Sequence, residues 1–77
     1  MSPAVAVGGH ASLLDVLTDR EREVAGLLVE GCTNREIGSE LGITEGTASV
    51  HVSRMLRKLG ATSRGQAIAM LLGERSL

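Results

Sequence analysis

The sequence contains no phenylalanine, tyrosine or tryptophan. Its core must therefore be assembled from Leu, Val, Ile, Ala and Met, which suit packed helices better than a sheet. Cysteine occurs once, at Cys32, so no internal disulfide can form and a stapled secreted scaffold is excluded. That cysteine and the two distant histidines, His10 and His51, do not make a metal quartet. No metal or cofactor is expected. No stretch approaches the ~20 apolar residues of a membrane span. The N-terminus lacks the basic residues and the apolar run of a signal peptide. A single cytoplasmic domain that makes no use of a membrane is the expectation for 77 residues.

Positive charge is also scarce, and the formal net charge is −1, whereas nucleic-acid binders are usually basic. The distribution carries more information than the sum. Asp15, Asp19, Glu21, Glu23 and Glu30 crowd the first part of the chain against Arg20 and Arg22. From His51 to Gly73 the charged residues are Arg54, Arg57, Lys58 and Arg64, with no acid among them. The chain is polarised, with its positive charge around one segment and its exit.

Residues 1–14 carry little periodic signal and are expected to form a flexible tail or linker remnant, leaving 15–77 as the domain. Four helical signals follow. Thr18 caps the first helix, and Glu21 three residues later completes a capping box. Val24, Leu27 and Leu28 supply its apolar stripe, and Gly31 ends it. Thr33 with Glu36 repeats the box for a second helix that Gly42 stops. Thr44 caps a third helix of about 45–59, closed by Gly60, and a fourth starts near Ser63. Short helices joined by short loops predict an all-α, four-helix domain. Gly26, Gly38, Gly46 and Gly65 fall inside predicted helices, at ~1 kcal/mol each relative to alanine unless close packing requires them.

The "LGIT" segment, residues 41–44, separates the second and third helices by the spacing of a helix-turn-helix. Gly42 suits a left-handed turn residue, and Gly38 lies where the two helices should approach. Ile37, Leu41, Ile43 and Ala48 are placed to bury together beneath the turn. On the third helix Ala48, Val52, Met55 and Leu59 form the core stripe. The opposite face carries Gly46, Val50, Ser53, Arg54 and Arg57. A single exposed valine is ordinary by itself. Here it stands among small residues on an acid-free face, and small residues let a helix sit deep in the major groove. Val50 can then pack on a thymine methyl, while Arg54, Arg57 and Lys58 reach phosphates.

Taken together, "LTDREREV" (17–24), "GCTNREI" (31–37), "LGIT" (41–44), "TASVH" (47–51), "LRKLGATSR" (56–64) and "QAI" (66–68) resemble the LuxR-type, or GerE-type, helix-turn-helix DNA-binding domain over residues 17 to about 73. Sigma-factor region 4 shares the opening phrase but is less similar downstream. The resemblance implies a transcription regulator whose third helix enters the major groove of double-stranded DNA and whose fourth helix forms a homodimer. It implies that Thr47 and His51 bind phosphates and that Ser49, Val50 and Ser53 face bases. RNA polymerase and an N-terminal signal-sensing domain are the further partners it suggests. Many members carry lysine where this chain has Ser49, and alanine and valine where it has Gly38 and Ala48. Fewer cations predict a shallow salt dependence, a slope of ~3–5 per half-site.

Other residues have competing readings. Asn34 and Arg35, in the first turn of the second helix, are candidates for phosphate contacts. His51 has no carboxylate or cysteine at a matching spacing, so it is read as half-packed on the core and donating to phosphate rather than as catalytic. Cys32 is either a small buried residue or a thiol activated near a helix N-terminus. Glu23 is a candidate structural partner for a base of the third or fourth helix. Ala67, Ile68, Met70, Leu71 and Leu72 make the fourth helix apolar on more than one side, as a buried terminal helix or as a dimer contact. Ala67 with Leu71 and Ile68 with Leu72 point about 100° apart, and which pair faces outward stays open. The expected function is sequence-specific duplex binding as a dimer, without catalysis. The alternative is a small helical protein-interaction module, which the near-neutral charge favours.

Overall fold

The structure, a computed structural model, describes residues 12–75. Among the described residues a 3-10 turn, Leu13–Val16, precedes four helices: α1 Asp19–Val29, α2 Asn34–Leu41, α3 Glu45–Leu59 and α4 Arg64–Arg75. The described residues contain no strand.

The caps act as the sequence implies. Thr18 Oγ1 accepts from the Glu21 amide at 3.1 Å, and Glu21 Oε1 accepts from the Thr18 amide at 2.9 Å. Thr33 and Glu36 repeat the exchange at 3.1 and 2.8 Å. At α3 the third helical position is Thr47, so the cap is made by hydroxyls. Thr44 Oγ1 accepts from the Thr47 amide at 3.0 Å and donates to Thr47 Oγ1 at 3.0 Å. Ser63 Oγ caps α4 through the Gln66 amide at 3.1 Å. Gly31, Gly42 and Gly60 all take positive φ values at the ends of α1, α2 and α3. After each, the next amide reaches back to the helix: Cys32 to the Leu27 carbonyl, Ile43 to that of Gly38, and Ala61 to that of Leu56.

The core comprises Leu17, Val24, Ala25, Leu28, Ile37, Ala48, Val52, Met55, Leu59, Ala67 and Leu71. Val24, Leu28, Ile37 and Met55 are its largest fully enclosed side chains. The α3 stripe 48, 52, 55, 59 is buried along its whole length. On α4 it is Ala67 and Leu71 that turn inward. Both belong to the set expected to form the dimer contact. Their side chains pack into this chain's own core. Ile68 and Met70 are half-buried, and Leu72 is 42% exposed.

Two expectations change. The predicted tail, 1–14, lies outside the described residues through residue 11, whereas Ser12–Leu14 are built into the domain. The Leu13 amide donates to both carboxylate oxygens of Glu74 at 2.6 and 3.0 Å, and Arg22 Nε donates to the Leu14 carbonyl at 2.9 Å. Glu23, expected to bind a base on α3 or α4, pairs instead with Arg20 at 3.3 Å on the exposed side of its own helix. The cross-helix pair belongs to Glu21, which accepts from Lys58 Nζ at 2.8 Å. Glu21 lies on the buried stripe with Val24, Ala25 and Leu28, while Glu23 does not.

Gly38 fixes the approach of the turn. A Cβ there would stand 2.8 Å from the Ile43 carbonyl oxygen and 3.2 Å from the Thr44 carbonyl carbon and oxygen. All three atoms are backbone, so an alanine requires the turn to retreat. At Gly26, by contrast, an added methyl would meet nothing within 4 Å. The same substitution should therefore have opposite signs at the two sites. Gly26→Ala is expected to stabilise by about 0.5–1 kcal/mol through helix propensity. Gly38→Ala is expected to cost about 1 kcal/mol, overpacking of about 2 kcal/mol exceeding the same propensity gain. Urea denaturation of both variants checks the pair, and a stabilising Gly38→Ala would overturn the tight approach.

Candidate nucleic-acid interface

The α2–turn–α3 unit presents one long outward face. Ala48, Val52, Met55 and Leu59 hold α3 against the core, so the opposite side of the helix is turned out by its own periodicity. Gly46, Thr47, Ser49, Ser53, Arg54 and Arg57 are exposed, and Val50 is 47% exposed. His51 is half-buried at the edge of that face. Within α3 the only acid is Glu45, at the first position.

Its hydroxyl cap has an electrostatic consequence. Glu21 and Glu36 place a carboxylate in the cap of α1 and α2, whereas Thr47 places none at α3. Thr47 Oγ1 accepts from Thr44, so its own hydroxyl proton remains to be donated elsewhere. Arg54 and Arg57 have no ion-pair partner among the described residues. Lys58, read in the sequence with these two as a phosphate ligand, is bound to Glu21. Its ammonium is therefore already engaged by a carboxylate of this chain.

At the start of α2, Arg35 is exposed and Asn34 is half-buried. The Asn34 side-chain oxygen accepts from Arg64 Nη1 at 2.8 Å, and Arg64 Nη2 donates to the Cys32 carbonyl. Sequence reasoning counts Arg64 only as a charge, since a partner 30 residues away leaves no local signal. Cys32 is half-buried and packs against the core. Desolvation raises its pKa, the carboxylates of Glu36, Glu30 and Glu40 raise it further, and Arg64 opposes them. Those influences disfavour the thiolate, so the reading of Cys32 as a packing residue is the one the surroundings support. Among the described residues no three His, Cys, Asp or Glu side chains gather as a metal site, and no helix is long and apolar enough to cross a membrane.

Two short helices meeting over a glycine turn, the second presenting small, hydroxyl and basic side chains, define a helix-turn-helix domain. Comparison with known proteins gives the same class. The family model for bacterial regulatory proteins of the luxR family matches residues 15–71. The spore germination protein GerE of Bacillus subtilis is 51% identical over 57 residues, covering 74% of this chain and 77% of that protein. The nitrate/nitrite response regulator protein NarP of Escherichia coli is 40% identical over 68 residues, covering 88% of this chain and 32% of its own length. The DNA-binding transcriptional activator DevR/DosR of Mycobacterium tuberculosis is 48% identical over 54 residues, covering 70% of this chain and 25% of its own. The chain belongs to the luxR family of bacterial regulatory proteins. It spans about three quarters of GerE but only a third or less of the two longer relatives.

Proposed function

We propose that this domain binds double-stranded DNA in the bacterial cytoplasm, sequence-specifically and as a homodimer, and regulates transcription with α3 in the major groove. The observation that carries the reading is the outward face of α3, where Val50 stands between small, hydroxyl and basic residues with no acid after Glu45. Ser49, Val50 and Ser53 face the bases. Thr47, His51, Arg54 and Arg57 hold phosphates on either side, with Asn34 and Arg35 contributing from the start of α2. Lys58 lies at the end of the same helix, but its pairing with Glu21 makes it the weakest of the phosphate candidates. Dimerisation falls to Ile68, Met70 and Leu72, the part of the α4 set that the core does not enclose. The domain acts by binding, with no cofactor and no catalysis. The longer relatives are a response regulator and a transcriptional activator, which supports an upstream signal-sensing domain and RNA polymerase as further partners.

The test is anisotropy of a labelled random-sequence duplex pool, titrated with salt. Arg35, Arg54 and Arg57 have no ion-pair partner among the described residues. Three phosphate contacts give a slope of log affinity against log salt of about −3 per domain. That is the lower end of the sequence-based range, because Lys58 drops out. Arg57→Ala is expected to reduce the slope by about 1. An affinity that does not respond to salt, or an absence of binding at low salt, would sink the proposal.

A further inference from the structure

We infer that Arg64 is a positioning residue for DNA binding: it locks the Asn34 amide so that the –NH2 group, and never the oxygen, is presented to the phosphate. The inference rests on the reading of the domain as a duplex-DNA binder. An asparagine side chain is ambivalent, with an acceptor on one side and two donors on the other. A phosphate accepts hydrogen bonds only, so half of the amide's orientations are useless or repulsive at a phosphate site. The guanidinium of Arg64 removes that ambiguity, because all its polar hydrogens are donors and it can be met only by oxygen.

The geometry is two-pronged. Arg64 Nη1 reaches the Asn34 side-chain oxygen at 2.8 Å, while Nη2 is held by the Cys32 carbonyl. Arg64 is half-buried, at the first position of α4, and spans from there to the segment that leads into α2. Its planar fork is thereby fixed at two points, and it fixes the amide plane in turn. Asn34 Nδ2 has no partner among the described residues, and the residue is only half-buried, so its two donors remain available to a ligand. Arg64 itself need not touch DNA.

Three variants test this against the same labelled duplex pool. Arg64→Met keeps the aliphatic stem and removes the fork. It is expected to lower affinity about two- to fivefold, the cost of orienting an amide that is no longer held, with an unchanged salt slope, because no cationic phosphate contact has been removed. Asn34→Ala, which removes the hydrogen bond itself, should lose about tenfold, and the double variant should be no worse than Asn34→Ala alone. Asn34→Asp keeps the acceptor toward Arg64, so the domain should melt no lower than the parent. It turns a carboxylate oxygen outward, and should bind more weakly than Asn34→Ala.

A salt slope reduced by about 0.9 in Arg64→Met would make Arg64 a direct phosphate ligand and overturn the positioning role. Losses that multiply in the double variant would overturn it too, as would an Asn34→Asp domain that binds as well as the parent. The Asn34→Asp result stands even where Arg64→Met weakens the fold. A parent that fails to bind the pool at all overturns the DNA-binding reading itself, which separates that failure from failure of this inference.

Discussion

Val50→Glu is expected to lower duplex affinity by about a hundredfold or more at low salt while leaving the domain's melting temperature nearly unchanged. The two halves of the prediction have separate causes. Val50 is 47% exposed and lies in the middle of α3, on the side away from Ala48, Val52, Met55 and Leu59. Glutamate is a good helix former, and a solvent-facing substitution of this kind changes stability by about 0.5 kcal/mol or less. At a DNA surface the change is severe. The new carboxylate would have to enter a groove walled by phosphates and give up its hydration there. A hundredfold loss corresponds to about 2.7 kcal/mol, within the range for like charges brought together at an interface. Val50→Ala, which removes only the apolar contact, should lose far less, about three- to tenfold. Thermal melts and anisotropy on the same preparations check both halves. Parent-like binding by Val50→Glu would remove α3 as the reading head. A melting temperature lowered by many degrees would mean that Val50 supports the fold.

What the sequence made legible, and what it hid, divides by the range of the interaction. Thr18, Thr33 and Thr44 could be placed as caps because each finds its partner three residues away. Gly31, Gly42 and Gly60 could be placed as helix ends because a positive φ is a property of one residue. The α3 stripe followed from periodicity alone, and with it the outward face that carries Val50. Glu21 was hidden by its own success as a cap: a carboxylate already explained locally invites no second role. Yet it falls at the start of the buried series 21, 24, 25, 28, and an acid on that stripe was a signal that it needed a partner from another helix. The role of Arg64 had no such signal, because its partners Asn34 and Cys32 come near only when α4 folds back on the start of α2. The fourth helix was ambiguous for a similar reason. Its two apolar pairs are equivalent by spacing, and only the packing of the other helices makes Ala67 and Leu71 the inner one.

The Glu21–Lys58 pair should dominate the stability of the domain and give it an acid-side limit. Glu21 is 3% exposed, and its Oε1 accepts from both Lys58 Nζ and the Thr18 amide. The hydrogen bond from Lys58, then that from the Thr18 backbone, hold its pKa below the ordinary glutamate value of 4.5, against the opposing effect of burial. Breaking a fully buried ion pair costs about 3–5 kcal/mol. The Lys58 side chain is 39% exposed, however, so solvent screens part of the attraction and the cost falls below that range. Glu21→Ala is therefore expected to destabilise by about 2–3 kcal/mol, which for a domain of this size lowers the melting temperature by about 10–20 °C. Lys58→Met should cost a similar amount at neutral pH, since it leaves a carboxylate enclosed with only the Thr18 amide. The sign of the pH dependence follows from the lowered pKa. Above about 4.5 the carboxylate is ionised in both the folded and unfolded states and the full contribution is present. As the pH falls through the folded-state pKa the proton binds and the contribution disappears. Urea denaturation at stepped pH should thus show the parent losing stability on the acid side of 4.5 and converging on Glu21→Gln, which keeps the volume without the charge. Equal stability of parent and Glu21→Gln at neutral pH would show that the charge of this pair contributes nothing, and that Glu21 serves only as the cap of α1.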